Sequence, residues 1–189
     1  MAGDGEVRER MIRSAGVLFG ERGFSATGLR DVVAHSSTPR GSIYHHLPGG
    51  KAELAHAVLE RAAAAAAADC EAHADDPVAA LHACLDRWRR TLQESDHRAG
   101  SALLAIALEP DEQTGARTAA AAAYARWEEA FAATLLAAGV KRKKAARLAT
   151  LAVAAIEGAV VVARAHGDTR ALDAVERELE AAIAGARRK

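Results

Sequence analysis

Residues 27–51 read TGLRDVVAHSSTPRGSIYHHLPGGK, from Thr27 to Lys51, and this stretch decides the fold: a short helix, a tight turn and a second short helix whose outer face is left for a partner. Thr27 is the expected N-cap of the first helix, with Leu29, Val32 and Val33 at helical spacing on one side. That helix is expected to stop at Ser36-Ser37. Thr38 then caps the second helix, and Pro39 takes its first position, where the missing N–H costs nothing and the fixed φ suits the helix. Ile43 and Leu47, four apart, face inward, while Arg40 and Tyr44, and beside them Gly41 and His45, share the opposite face. Pro48-Gly49-Gly50 ends the helix, and Lys51 opens the next, where free backbone N–H groups and an ammonium together suit a phosphate.

Charge supports this reading. Val32 to Ala52 contains no Asp or Glu but holds Arg40, Lys51, His35, His45 and His46. An acid-free run tolerates a polyanion. Taken alone, the pattern also fits a solvated surface helix, because a helix-turn-helix is an ordinary packing unit as well as a DNA reader.

A long helix, then TG, a short helix, PRGSIYHH and PGGK resembles the N-terminal DNA-binding domain of the tetracycline-repressor (TetR) family, and the HH-PGGK ending resembles its LmrA/YxaF-type branch. The specific match covers residues 7 to 60, with a similar helix pattern over the rest, including ARW at Arg126-Trp127 and EGA at Glu157. The resemblance implies a ligand-responsive, homodimeric bacterial transcription repressor that binds a double-stranded DNA operator. Carried over by position, it implies that Thr27, Tyr44 and Lys51 hold phosphates, and that Pro39, Arg40, Gly41, Ser42 and His45, with Thr38 at the head of the helix, lie in or near the groove. Two positions depart from the family: Ser37 stands where the turn usually has Gly, which strains the turn if φ is positive there, and Leu47 stands where Phe is usual.

The 189 residues suffice for one or two small domains with a real core. Half the composition is apolar, much of it Ala, and only 4% is aromatic. Ala favours helices and disfavours strands, so an all-α protein is expected; the resemblance implies about nine helices, with a three-helix DNA-binding domain over residues 1–50 and a helical ligand-binding and dimerisation domain over 51–189. Net charge is +0, which excludes a generally basic nucleic-acid binder. Over residues 1–60, Arg8, Arg10, Arg13, Arg22, Arg30, Arg40 and Lys51 balance Asp4, Glu6, Glu9, Glu21, Asp31, Glu53 and Glu60, so sequence-specific contacts must supply much of any DNA affinity. Two cysteines and no apolar N-terminal signal point to a reduced, cytoplasmic protein. The apolar run Ala145–Ala163 has the length of a membrane span but carries Arg147, Thr150 and Glu157, so it reads as a buried interface helix.

In order along the chain, residues 1–6 are expected to be disordered, followed by a helix from Val7 to Arg22 with Met11, Ile12, Ala15, Leu18 and Phe19 as its apolar stripe. Gly23 is its αL cap and Phe24 folds back onto the last turn. A connecting rod with seven consecutive alanines, Ala62 to Ala68, runs from Lys51 to about His73. Helices follow at about 78–94 behind Asp75-Asp76-Pro77, at 101–108 closed by Glu109-Pro110-Asp111, and at 116–138 stopped by Gly139. The last two, 141–165 and 169–186, carry apolar rows (Leu148, Leu151, Ala155, Ala159, Val162; Leu172, Val175, Leu179, Ile183) that suit a four-helix interface between two subunits, with an intramolecular hairpin as the alternative.

Trp88, Leu92, Leu103, Leu108, Tyr124, Trp127 and Phe131 are the bulkier side chains of an Ala-rich bundle and the candidates to line an apolar effector pocket, though for any one of them core packing is favoured over ligand contact. Glu157 and Arg164 are the candidates to orient a polar group of the effector. Cys70, His73, His82 and Cys84 supply metal-ligand chemistry but match no compact zinc spacing, and no metal or cofactor is expected. There is no nucleophile elbow, HExxH, phosphate loop or clustered acid pair, so the chain is not expected to be an enzyme. An all-α enzyme and a constitutive DNA-binding protein without effector remain the alternatives to a repressor released by a small apolar or amphipathic molecule.

Overall fold

A computed structural model describes residues 4–39, 41, 43–109 and 115–187. Among these there are nine helices and no strand: α1 (Asp4–Arg22), α2 (Leu29–His35), α3 (Ile43–His46), α4 (Gly50–Glu71), α5 (Pro77–Glu94), α6 (Ala102–Ala107), α7 (Ala116–Ala137), α8 (Arg142–His166) and α9 (Arg170–Arg187). The all-α expectation holds, with α1 to α3 forming the helix-turn-helix head. Arg40 and Ser42, both expected at the groove, lie outside the described residues, as do Pro110 and Asp111 of the expected closing turn.

The chain divides by contact into two compact units, Met1–Ala62 with Gly100–Ala123, and Ala63–Ala99 with Tyr124–Lys189. The expected boundary at residue 50 falls on the first residue of α4.

In the first unit, α1 packs against α2, α3 and α6. Met11, Ile12, Ala15, Leu18 and Phe19 are all buried, as the periodicity predicts, and each large one contributes about 1.5–3 kcal/mol through water-excluded apolar area. Helix α1 begins earlier than expected: Asp4, Gly5 and Glu6 are helical rather than disordered. Gly23 closes it at φ +91 with its N–H on Phe19 O, and Phe24 turns back so that its ring meets Phe19 edge-on at 5.1 Å. Gly20, on the buried face, allows the backbone at Gly100 to approach so closely that a Cβ there would sit 2.1 Å from Gly100 O. Two glycines thus set the spacing between α1 and the segment leading into α6.

In the second unit, α5, α8 and α9 join the later part of α4 and of α7 around one cluster that includes Leu81, Leu85, Leu92, Trp127, Phe131, Leu135, Ile156 and Val160. Asp76 caps α5 by accepting from Val78 N and Ala79 N at 3.1 Å each, with Pro77 in the first turn. Gly139 and Gly167 end α7 and α8 at φ +87 and +68. The expected row on α8 splits: Leu148 and Ala159 are buried, whereas Leu151 and Val162 are exposed. That row drifts around the helix, while the core takes the neighbouring line Ala145, Leu148, Ala149, Ala152, Val153, Ile156, Ala159, Val160 and Ala163. On α9, Leu172, Leu179 and Ile183 face this same core, so its apolar stripe is covered within the chain. Helix α8 is long and apolar enough to cross a membrane by length and composition; half of that window is buried in the fold, and Glu157 is inside it.

Candidate functional site

The turn between α2 and α3 ends α2 with a left-handed residue. Thr38 N donates to Val33 O and Ser37 N to Ala34 O, both at 3.3 Å, and Ser37 carries φ +52. This pair of bonds reaching back over the last turn is the helix ending that favours Gly at its left-handed position, so the strain expected of Ser37 is present. The caps differ from the sequence reading. Gly28, not Thr27, is the N-cap of α2, because Asp31 accepts from Gly28 N at 2.8 Å and closes the first turn without any cap side chain. Thr27 is buried, and its hydroxyl donates to Gly23 O at 2.9 Å. Thr38 is buried with its hydroxyl 2.8 Å from that of Ser36, and α3 starts at Ile43 rather than at Pro39. Pro39 and Gly41 are exposed.

Helix α3 is anchored by Ile43 and by Leu47 just beyond its end, both buried, which turns Tyr44 (68% exposed) and His45 outward. The outer face of this short helix therefore carries a phenol and an imidazole, the latter edge-on to His46 at 4.9 Å. At the start of α4, Lys51 lies back over the Phe24 ring, with Nζ 4.3 Å from its centroid and 3.4 Å from Ser25 O. Partial burial lowers its pKa, and the Glu109 carboxylate pulls in the opposite direction. Glu109 accepts from Ser25 N at 3.2 Å and from the Ser25 hydroxyl. Glu53 accepts from Gly49 N at 2.9 Å and pairs with Arg8 at 3.2 Å. The run that is acid-free in sequence is thus flanked in space by two acids. Glu53 follows directly after the run, but Glu109 arrives from 84 residues away and has no local signal.

The candidate effector residues divide. Leu103 is buried in the first unit, and Leu108, after α6 in that unit, is 75% exposed. Trp88, Leu92, Tyr124, Trp127, Phe131 and Glu157 belong to the second unit. There Trp127 and Phe131 line a cavity of about 10 Å³, room for about one water, together with Cys70, Ala80, Leu81, Cys84, Ala152, Val153 and Ile156. Burial pushes the thiols up, Cys70 to about 11 and Cys84 to about 12. Beside them Glu157 is buried and hydrogen-bonds Tyr124, whose phenol is pushed up by burial and by that carboxylate. Both cysteines are free thiols.

A helix-turn-helix with an outward aromatic and imidazole face, joined to a helical unit with its own core, is the architecture of DNA-binding transcriptional regulators. The comparisons with known proteins are specific. Residues 12–58 match the model of bacterial regulatory proteins of the tetR family, and residues 77–178 match the C-terminal domain of LmrA/YxaF-like transcriptional regulators. The chain is 39% identical over 178 residues to the HTH-type transcriptional regulator Rv0196 of Mycobacterium tuberculosis, covering 91% of each chain. It is 29% identical over 162 residues to the regulator LmrA of Bacillus subtilis, covering 84% of this chain and 86% of that one. Among solved structures, a TetR transcriptional regulator from Legionella pneumophila shares the fold with a TM-score of 0.79 at 18% identity, over 95% of this chain and 97% of that one. The protein belongs to the TetR family of transcriptional regulators, in its LmrA/YxaF-like branch. Regulators of this family bind DNA and usually act as dimers.

Proposed function

We propose that the protein is an effector-released transcriptional repressor acting in the cytoplasm: residues 1–50 read a pseudo-palindromic operator, and residues 51–189 carry the effector site and the dimer contact. The observation that carries this reading is the two-sided α3, with Ile43 and Leu47 held in the core and Tyr44 and His45 presented to solvent in a stretch without acids. Tyr44 and Lys51 are assigned to phosphates, and Pro39, Arg40, Gly41, Ser42 and His45 to the groove. Two heads related by a two-fold axis require half-sites roughly 34 to 36 Å apart.

The second subunit is assigned to the outer face of α8, where Leu151, Val161 and Val162 are exposed. Because α9 spends its apolar stripe inside its own chain, this face is the apolar surface the last two helices have left to offer. The effector is assigned to the core around Trp127 and Phe131, with Tyr124 and Glu157 as the neighbouring polar groups; the cavity there has room for about one water, so an effector enters only by displacing the side chains that line it. An effector releases DNA only if it binds better to the dimer geometry that mismatches the operator.

The test is footprinting of the purified protein on DNA flanking its own gene at stated salt, beside Arg40→Ala and Tyr44→Ala. A palindromic protected site lost in both variants, while they stay folded dimers, supports the reading. Equal protection by wild type and variants refutes the assignment of the head, and protection that no small molecule releases leaves a constitutive binder.

A further inference from the structure

The two helices that frame the second unit, α5 and α9, bring together three side chains that the DNA-binding reading does not use. Glu176 and Glu180 are four apart on α9 and so share a face, and His82 on α5 stands opposite them. Their ligand atoms, one from each residue, all lie within 4.8 Å of one another. Both helices have 18 residues and bury Leu81, Leu85, Leu172, Leu179 and Ile183 in the common core, so the three groups project from rigid, packed backbone rather than from a loop.

The electrostatics call for a cation. One atom, His82 Nε2, faces both carboxylates: it contacts Glu180 Oε1 directly and lies 3.5 Å from Glu176 Oε1. A neutral imidazole has at most one proton at that nitrogen and serves one acceptor with it. The second oxygen of Glu176, Oε2, is taken by Arg89 at 2.5 Å, and that guanidinium also bonds Asp173 and Asp86 at 2.8 Å each. Burial works against the Arg89 charge, and hydrogen bonds to Glu176, Asp173 and Asp86 outweigh it, so its pKa is raised and the guanidinium stays charged. Three carboxylates, Asp86, Asp173 and Glu176, therefore share one guanidinium, and Glu180 is left to His82. The Cys70, His73, His82 and Cys84 set suggested by the sequence is not what the fold assembles: among the described residues, the possible ligand atoms that come together are those of His82, Glu176 and Glu180.

We propose that His82 Nε2 and the Glu176 and Glu180 carboxylates bind a first-row divalent ion of the zinc type. One imidazole and two carboxylates suit Zn²⁺ and its neighbours better than Mg²⁺ or Ca²⁺, which prefer all-oxygen sets. The ion binds the Nε2 lone pair in the tautomer protonated at Nδ1, joins both glutamates at once, and water completes its coordination. It ties α9 to α5.

The experiment titrates Zn²⁺ into chelator-stripped, tag-free full-length protein by calorimetry, beside His82→Ala and Glu180→Gln, with Co²⁺ absorption as the spectroscopic readout. Both substituted side chains are partly exposed, and melting curves without metal serve as the folding control. One ion per chain, an affinity at least about tenfold weaker in each variant, and a Co²⁺ spectrum without thiolate charge transfer are expected. A rise in melting temperature with Zn²⁺ in the wild type only is the linked result. No binding, binding that survives both substitutions, or a strong thiolate band would each overturn the assignment, leaving an ordinary His–Glu ion pair.

Discussion

Gly20→Ala and Gly16→Ala make the same chemical change in the same helix and should move stability in opposite directions. In a helix interior, Ala is favoured over Gly by about 0.8–1.0 kcal/mol, because it loses less backbone freedom on folding. At Gly16 a new methyl meets only Val58 Cγ1 at 3.8 Å, ordinary contact, so the whole gain of about 1 kcal/mol should appear. At Gly20 the methyl would lie 2.1 Å from Gly100 O and 2.9 Å from Gly100 C. Those atoms are backbone and cannot turn aside as a side chain does, so α1 and the start of the α6 segment must separate by about an ångström. Overpacking of this kind costs up to about 3 kcal/mol, so the net effect is about 2 kcal/mol of destabilisation after the helical gain. The two variants should therefore differ by about 3 kcal/mol, with the melting temperature moving about 2–4 °C per kcal/mol for a chain of this size. Urea unfolding followed by circular dichroism, with a thermal melt on the same samples, measures both. If Gly20→Ala is as stable as Gly16→Ala, the close approach at Gly100 is not a fixed feature of the fold, and the argument that two glycines set the α1 to α6 spacing fails.

Three further outcomes follow from the geometry. Ser37→Gly should stabilise by about 0.5–1 kcal/mol, because Ser37 is exposed and its φ of +52 penalises any Cβ; the same urea titration checks it, and a loss of stability would mean the turn relies on the Ser37 side chain. Cys70 and Cys84, with thiols raised to about 11 and 12, hold their protons at pH 8 in the folded state, so iodoacetamide should label them far more slowly than in urea; rapid native labelling followed by mass spectrometry would show that the cavity opens. Glu109→Gln removes the carboxylate that competes with a phosphate at Ser25 and Lys51, so DNA affinity should rise a few-fold at low salt and the difference should shrink as salt increases; unchanged or weaker binding by fluorescence anisotropy would make Glu109 a support for Lys51 instead.

Much of this protein was legible without coordinates, for local reasons. Alanine content fixed the all-helical class, and the apolar positions of α1 named its buried face, because a period of 3.6 residues is set by the backbone itself. Gly23, Gly139 and Asp76 marked helix ends correctly, since left-handed and capping residues act over three or four neighbours. The inward Ile43 and Leu47 and outward Tyr44 and His45 follow from the same spacing. Even here one residue misled: Thr27 looked like the better cap, and the Gly28–Asp31 bond took the role because an N3 acid can close the first turn from the other side.

What only the tertiary structure decided is which surfaces meet. Glu109 reaches Ser25 and Gly100 approaches Gly20 across eighty residues of chain or more, and no local pattern encodes a partner at that distance. The split of the α8 row into buried Leu148 and exposed Leu151 and Val162 depends on which neighbours cover the helix, and all three are equally apolar in sequence. Likewise Leu103 and Leu108 are the same apolar residue five positions apart, yet one is core and the other faces solvent. The His82, Glu176 and Glu180 cluster joins residues that are each ordinary surface charges in sequence, and it exists because α5 and α9 bury their apolar faces together. Periodicity tells a helix which side to hide; only packing tells it against what.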